Sequence, residues 1–351
     1  MQGIDIFCGA GGMSKGAELS GINVRYAVEV DKNAALTFEK NHPSTRLFVE
    51  NILNITANSH ILLDRREPVV LFGGPPCQGF STSNQKSRGL DNKNNWLYQE
   101  YLRLVGEIKP DWVVFENVKG LLEMESGYFL DQVLKGFRDR GYTTNHFVLN
   151  SADYGVPQKR NRLFIVGSLH GVFVSAPQPV VTKHLTVYDA IHDLPDLVNG
   201  DCRDVENYPR PATSAYAKYL REMRSDCQNN IVTKNANYII ERYCHIPQGG
   251  NWEDIPRSLM DNYKDASRCH TGIYRRLNEN EPSVVIGNFR KNMLIHPWSD
   301  RGLSVREAAR LQSFPDSFKF YGSIGFQQQQ VGNAVPPMLA KAVFDTIVGK
   351  D

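Results

Sequence analysis

Short apolar runs alternate with helical patterns over the first half of the chain. The strand-like runs are residues 4–7, 24–30, 69–72, 112–115, 143–149 and 163–166. Between them, residues 13–19, 31–40, 97–108 and 129–138 carry apolar positions at helical spacing. Because strands and helices alternate in this way, the sequence predicts an α/β fold with a doubly wound, mostly parallel sheet.

The pattern changes beyond about residue 177, where prolines and polar residues become frequent and regular signals weaken. We therefore predict a first domain over residues 1–178, a smaller irregular domain over 179–300, and a C-terminal part over 301–351. In the last part, Ser304 and Glu307 form a capping-box pattern ahead of a helix to about residue 313. A final helix, over about 336–348, is predicted to return to the first domain.

Composition narrows the class of protein without identifying it. The chain has 351 residues, of which 41% are hydrophobic and 22% charged, as in ordinary globular proteins. It has no apolar run of membrane-spanning length, and a strand-like run begins at residue 4, so we expect no signal peptide and a cytoplasmic protein. The six cysteines lack zinc-site spacing, so no metal is expected.

The charge balance neither favours nor excludes a nucleic-acid partner. The formal net charge is +2, and residues 179–300 contain 15 Lys/Arg against 16 Asp/Glu. A strongly basic domain would have indicated nucleic-acid binding, and none is present. Any surface that binds nucleic acid must therefore be local.

A glycine-rich turn, FCGAGG at residues 7–12, lies between the first predicted strand and the first helix. Glycines let a backbone turn tightly and approach a ligand, and ligands of open α/β sheets bind beyond the carboxyl ends of the strands. Glu29 ends the next strand, where a carboxylate can accept hydrogen bonds from ribose hydroxyls. The pair fits a nicotinamide, flavin or S-adenosylmethionine site, with a purely structural turn as the alternative.

The segment GGPPCQGFS, residues 73–81, follows a buried strand and leads into the polar stretch 82–95. A single cysteine is usually a small core residue. Here Cys77 stands between two prolines and a polar loop, which would hold it rigidly at the edge of the sheet. This setting indicates a chemical role for the thiol.

Three further motifs place polar groups next to regular elements. They are FENV at residues 115–118, which contains Glu116, QKRNR at 158–162, and QVGNAVPP at 330–337. Each has a structural alternative when taken alone. Glu116 would then be a strand-end carboxylate facing water, and the basic motif would be a solvated turn.

The ordered set FCGAGG, GGPPCQGFS, ENV, QKRNR, LSVREAARLQSFP and QVGNAVPP resembles the motifs of the DNA (cytosine-5) methyltransferases. The resemblance covers residues 4–348, apart from a variable region at roughly 179–270. It implies a Rossmann-like, S-adenosylmethionine-dependent methyltransferase fold with a smaller, irregular target-recognition domain over 179–300.

By this resemblance, Cys77 is the nucleophile that adds to C6 of the target cytosine and thereby makes C5 reactive toward a methyl group. Glu116 contacts N3 and the exocyclic amine, and a protonated or proton-sharing carboxyl would stabilise the charge that builds on N3, so we expect a raised pKa for Glu116. Arg162 contacts the cytosine near O2. Together with Arg160, it adds positive potential that favours the thiolate.

The same resemblance implies S-adenosylmethionine as the cofactor, with S-adenosylhomocysteine as the product. Val30 and Asn51 stand where the family often has an aromatic residue and an aspartate, so their contacts to adenine would differ in kind. The predicted cofactor residues are Phe7, Gly9, Ala10, Gly11, Gly12, Glu29, Val30, Asn51, Ile52, Pro76, Leu97, Asn333 and Ala334.

Duplex DNA is the implied partner, and the target cytosine must be flipped out to reach Cys77. The protein would then be located with the nucleoid. The predicted DNA contacts are Ser83, Gln85, Lys86, Arg88, Arg268, Arg275, Arg276, Arg290 and Lys291. For each single arginine, an ordinary surface position is the alternative. Val285 stands where the family usually has a threonine.

Other classes remain open. The tRNA-methylating branch of the family shares the catalytic residues but lacks a large recognition domain, so the length of 179–300 favours DNA. A non-catalytic DNA-binding relative would lose the cysteine or the glutamate, and a dehydrogenase does not explain Pro-Pro-Cys-Gln. We expect a monomer. Its role is open between partnership with a cognate restriction endonuclease, orphan regulation and phage defence.

Overall fold

The computed structural model describes residues 1–76, 96–122, 127–261, 272–287, 289–291 and 293–350. The chain divides into two compact units. Unit 1 consists of residues 1–154, 160–180 and 337–351, and unit 2 consists of residues 155–159 and 181–336. The last helix therefore belongs to the same unit as the first strand, whereas residues 301–336 belong to unit 2.

Unit 1 is built on a seven-stranded sheet. Its strands are β1 (Gln2–Ile6), β2 (Asn23–Glu29), β3 (Arg46–Val49), β4 (Val69–Gly73), β5 (Trp112–Val118), β6 (Thr143–Asn150) and β7 (Asn161–Ser168). Their order is β3-β2-β1-β4-β5-β7-β6. Strands β1 to β5 pair in parallel, and β7 runs antiparallel to both β5 and β6. The predicted mostly parallel sheet is confirmed.

Helices cover both faces of this sheet. The α-helices of unit 1 are α1 (Gly12–Leu19), α2 (Lys32–Asn41), α3 (Ala57–His60), α4 (Leu97–Ile108), α5 (Tyr128–Arg138) and α11 (Pro337–Phe344). Those of unit 2 are α6 (Val187–Ile191), α7 (Ala215–Arg221), α8 (Asn237–Cys244), α9 (Val305–Leu311) and α10 (Ile324–Asn333). On one face, Leu71 and Phe115 join an apolar core with α4 and α5. On the other, the ring of Phe72 lies 4.9 Å from that of Phe344 in α11. Neighbouring strand residues thus serve opposite faces, as the period of two requires.

Unit 2 contains α6 to α10 and a two-stranded sheet of β8 (Glu206–Asn207) and β9 (Asp226–Cys227), separated by irregular segments. The predicted capping box begins α9: Ser304 and Glu307 exchange side-chain and backbone hydrogen bonds. The α9 residue Arg310 is fully buried and pairs with Asp316 at 2.6 Å and Asp193 at 3.1 Å. Buried charge as well as apolar contact therefore holds α9 in unit 2.

The sequence patterns did not predict several elements, namely β3, β8, β9, α3, α6, α7, α8 and α10, and both α9 and α11 end earlier than predicted. Strand β3 has four residues, and none of them is fully buried, so it shows no clear alternation. Helix α10 buries three glutamines of the run 327–330, so its buried face does not appear as an apolar pattern in the sequence. Helix α9 ends at Leu311 because Ser313 adopts φ +63°. None of the helices in the described ranges has the length and apolar character needed to cross a membrane.

Candidate active site

The glycine-rich turn lies at the carboxyl end of β1, in the middle of the sheet. Phe7, Gly9 and Gly11 have φ angles of 62°, 55° and 98°, all in the left-handed region. A Cβ atom on Gly11 would lie 2.3 Å from Nε2 of His42, so a larger residue would displace that ring. Among the described residues, nothing lies within 4 Å of the Cβ position of Gly9. The backbone of the turn at Gly9 therefore faces open space, with no side chain of its own in between.

Glu29 fixes the shape of this turn from the end of β2. Its Oε2 accepts the N–H of Gly9 at 2.8 Å, and its Oε1 accepts the N–H groups of Val30 and Asp31 at 2.9 and 2.8 Å. Burial raises the pKa of Glu29, and the three N–H groups oppose that rise. The carboxyl group is thereby oriented by backbone alone, next to the space in front of Gly9.

The predicted adenine side comes from the residues after β2 and β3 and from the start of α4. Val30 is 65% exposed, whereas Ile52 is 4% exposed and belongs to the core of the sheet. The side-chain oxygen of Asn51 accepts the N–H of Leu53 at 3.1 Å. Leu97, the first residue of α4, is half-buried against the same core. Val30 and Leu97 thus offer apolar surface on the predicted adenine side, and the buried side chain of Ile52 anchors this side in the core of the sheet.

The segment that leads to Cys77 runs beside the end of β5. Parallel pairing of β4 with β5 sets Gly73 opposite Phe115, so the residues that follow each strand lie side by side. A Cβ atom on Gly74 would lie 2.5 Å from Oε2 of Glu116, and only glycine leaves room for that carboxyl group. Asn117 donates from Nδ2 to the carbonyl oxygen of Pro75 at 3.2 Å.

Gly74 and Asn117 are contributors that the sequence analysis missed. Both stand inside motifs that it singled out, one residue before the two prolines and one residue after the glutamate. Their function depends on which strands are neighbours, and the motif spacing does not reveal this.

Glu116 is 8% exposed and forms a buried ion pair with a residue of β7. Nε of Arg162 lies 2.9 Å from Oε1 of Glu116. Burial raises the pKa of Glu116, and the positive charges of Arg162 and Arg160 reduce this rise without cancelling it. The expected upward shift is therefore confirmed. Arg160 is 1% exposed, so both arginines place positive charge inside this edge of the sheet.

Several predicted residues lie outside the described residues. They are Cys77, Ser83, Gln85, Lys86, Arg88 and Arg268. Cys8, the described cysteine of unit 1, is buried, and burial raises the pKa of its thiol well above the ordinary value. A buried, protonated thiol is a poor nucleophile, so Cys8 does not compete with Cys77 for the catalytic role.

In unit 2, one predicted DNA contact requires correction. Arg276 is buried and donates to the carbonyl oxygens of Ile246, His296, Ser299 and Tyr243 and to the carboxylate of Asp300. A guanidinium has five N–H donors, and all five are used within unit 2. Arg276 is therefore a structural residue with no donor left for a phosphate.

The structure describes five other predicted residues in unit 2. Arg290 and Lys291 are exposed and Arg275 is half-buried. Asn333 is the exposed last residue of α10, and the N–H of Ala334 donates to the carbonyl oxygen of Gln330. Their contacts with DNA or cofactor stay predictions.

Comparison with known proteins identifies the family of the chain. The family model for C-5 cytosine-specific DNA methylase matches residues 1–349. The chain belongs to this family of DNA (cytosine-5) methyltransferases.

Two relatives and one solved structure illustrate the match. Type II methyltransferase M1.HphI of Haemophilus parahaemolyticus is 34% identical, with 98% of this chain and 86% of the relative covered. Type II methyltransferase M.AgeI of Thalassovita gelatinovora is 31% identical, with 99% of each covered. A solved structure from E. coli, assigned as a prophage-encoded DNA modification methyltransferase, superposes with a TM-score of 0.80 at 25% identity, covering 99% of this chain and 98% of the other. The predicted methyltransferase fold is confirmed.

Proposed function

We propose that the protein methylates C5 of cytosine in a specific duplex DNA sequence, using S-adenosylmethionine, base flipping and a covalent bond between Cys77 and C6. One observation carries the proposal. The buried pair of Glu116 and Arg162 lies beside the Pro75 segment that leads directly to Cys77. A protonated acid and a guanidinium both donate hydrogen bonds, and they match N3 and O2 of cytosine, which both accept them.

The chemistry follows from these groups. The thiolate of Cys77 forms the S–C6 bond, and the electron pair of the C5–C6 bond moves toward C5 and N3. Glu116 shares a proton with N3 and so stabilises the charge that develops there. Once C5 has been methylated, a base removes the C5 proton, and the S–C6 bond breaks to restore the ring and the thiolate.

The residues of unit 1 fit the cofactor. S-adenosylmethionine, when bound, supplies an electrophilic methyl group. The open space at Gly9 admits its methionine part, and Val30 and Leu97 offer apolar contact to adenine. Among the described residues, Oε2 of Glu29 accepts one hydrogen bond, so it keeps a lone pair for a ribose hydroxyl.

For the nucleic acid, we infer duplex DNA read by unit 2 in the role of a target-recognition domain. Arg275, Arg290 and Lys291 supply exposed or half-exposed positive charge there. The Type II names of the relatives support a role beside a restriction endonuclease.

The substrate is tested by transfer of a labelled methyl group from S-adenosylmethionine to duplex DNA and, separately, to tRNA. We expect label in DNA, with bisulfite sequencing of DNA from an expressing host locating one target sequence. Transfer to tRNA alone would replace the DNA proposal by the tRNA-methylating alternative.

The nucleophile is tested by Cys77→Ala, with Cys202→Ala as a matched control because Cys202 is an exposed cysteine of unit 2. Cys77→Ala should abolish methylation and leave cofactor binding measurable. Duplex DNA containing 5-fluorocytosine in the target sequence should form an SDS-stable adduct with wild type and with the control, but not with Cys77→Ala. Normal turnover by Cys77→Ala would refute the covalent role.

A further inference from the structure

Two charged residues of α4 hold the backbone of the segment 51–57, which carries the predicted adenine side of the pocket. Nη2 of Arg103 donates to the carbonyl oxygens of Ile52 at 3.0 Å and Ile55 at 2.9 Å. Oε2 of Glu107 accepts the N–H of Ala57 at 3.0 Å. Three backbone groups of one short segment are therefore bonded to side chains of a single helix.

The two side chains are themselves fixed. Nη1 of Arg103 donates to Oε1 of Glu107 at 2.6 Å, and Nε donates to Oε2 of Glu100 at 2.7 Å. Such i,i+3 and i,i+4 pairs lie on one face of a helix. The opposite face of α4 is anchored in the core, where the hydroxyl of Tyr101 donates to the carbonyl oxygens of Leu71 and Val114. Arg103 and Glu107, which we call the clamp, therefore tie the backbone of segment 51–57 to a helix that is fixed in the core.

Segment 51–57 has little regular structure of its own to hold it. It consists of the short turn Ile52–Asn54 and the start of α3, between β3 and the next irregular stretch. The buried side chains of Ile52 and Ile55 fix it from below, but they do not set the direction of its backbone. The hydrogen bonds from α4 supply that constraint. The first residue of α4, Leu97, is also a predicted cofactor contact, so one helix fixes both parts of this side.

We propose that Arg103 and Glu107 are positioning residues that set the adenine end of the cofactor site. They act through the backbone of segment 51–57, and the inference rests on the proposed use of S-adenosylmethionine. Sites held by rigid elements and by supporting hydrogen bonds discriminate ligands better than sites on free loops. The clamp thus contributes to selection of adenine as well as to affinity.

The test is Arg103→Met, which keeps much of the side-chain volume and removes every donor. S-adenosylhomocysteine binding is measured by calorimetry, in parallel with its inosine counterpart, in which hypoxanthine replaces adenine. We expect the Kd for S-adenosylhomocysteine to rise about tenfold, the effect of roughly one charge-assisted hydrogen bond. The preference for adenine over hypoxanthine should fall, the KM for cofactor should rise by a larger factor than kcat falls, and Arg103→Lys should restore part of the affinity.

The matched control is Arg140→Met. Arg140 also lies beside α4, since its Nε is 3.3 Å from the place that a Cβ atom on Gly106 would take, but it donates to the carbonyl oxygen of Gly136 in α5 rather than to segment 51–57. This variant should keep the affinity and the adenine preference of wild type.

Folded Arg103→Met with wild-type affinity and adenine preference would overturn the inference. If Arg103→Met does not fold, Glu107→Ala, which releases Ala57, is measured in the same way and judged by the same criterion. If wild type itself neither binds S-adenosylhomocysteine nor methylates DNA, the proposed function fails instead.

Discussion

At the scale of single residues, burial controls the carboxyl groups around the glycine-rich turn. Asp5 is 1% exposed, and its Oδ2 accepts the hydroxyl of Ser14 at 2.6 Å. Burial raises the pKa of Asp5 to about 8, with a smaller contribution from the negative charge of Glu29. The pKa values of Glu29 and Glu116 are raised for the same first reason. Asp5 and Glu29 near the turn, and Glu116 at the end of β5, therefore bind protons more tightly than they would in water.

The pKa of Asp5 predicts how stability depends on pH. The folded chain keeps this proton up to a pH of about 8, whereas an unfolded aspartate loses it near 3.8. The contribution of Asp5 is thus fully present below pH 3.8 and is lost as the pH rises toward about 8. Asp5→Asn removes this loss and keeps an acceptor for Ser14. Its free energy of unfolding, measured in urea, should exceed that of wild type increasingly with pH, by at most about 1.4 kcal/mol per unit.

Asp345→Asn serves as the control, since Asp345 is an exposed partner of Lys341. It should leave the pH profile of wild type unchanged. If Asp5→Asn leaves the pH dependence of the free energy of unfolding as it is in wild type, Asp5 is ionised in the folded chain at neutral pH.

At the scale of elements, the site is the place where the ends of β4 and β5 meet. Strand β4 ends at Gly73, β5 carries Glu116 and Asn117 near its end, and the parallel register puts the Pro75 segment against these two residues. The motifs themselves were visible in the sequence, because Pro-Pro-Cys and Glu-Asn-Val each follow an apolar run. Their proximity follows from the parallel pairing of β4 with β5, and the hydrogen bond from Asn117 was not predicted.

Asn117→Ala tests this junction. Loss of the hydrogen bond to Pro75 should let the segment before Cys77 move, and misplacement of a reacting group by about 1 Å can cost roughly a hundredfold in rate. We expect kcat to fall by about tenfold to a hundredfold, with little change in the KM for cofactor, in single-turnover methyl transfer.

Asn145→Ala is a matched control, because Asn145 of β6 also donates from Nδ2 to a backbone carbonyl, that of Val174. Its kcat should stay near that of wild type. Equal rates for Asn117→Ala and wild type would rule out a positioning role for Asn117.

At the scale of the whole molecule, the two units are stabilised differently. Unit 1 has a continuous apolar core on its sheet. Unit 2 has little regular structure and buries charges around α9, where Asp316 accepts from Arg310 and Tyr208 and lies 3.7 Å from Arg306. Removal of one partner of a buried ion pair leaves the other charge uncompensated, and this strongly destabilises the folded state.

Asp316→Ala should therefore lower the free energy of unfolding by about 3–5 kcal/mol, measured by urea denaturation of the full chain. Asp196→Ala, which removes the partner of Arg210 in a solvent-exposed pair of the same unit, should cost less than about 1 kcal/mol. Similar losses for the two variants would contradict a special contribution of the buried network.

The sequence by itself determined the class of fold, the order of the motifs and the family, because these depend on local patterns of apolar residues, glycines and prolines. Tertiary structure decided which partners the charged groups have. Arg276 looked like a phosphate contact, yet its five donors are bonded internally, and Arg103 attracted no notice, yet it holds the backbone of Ile52 and Ile55. The sequence does not distinguish a charged side chain that faces water from one that bonds to a carbonyl oxygen inside the protein. Only the packing of elements distant in the chain decides which partner it finds.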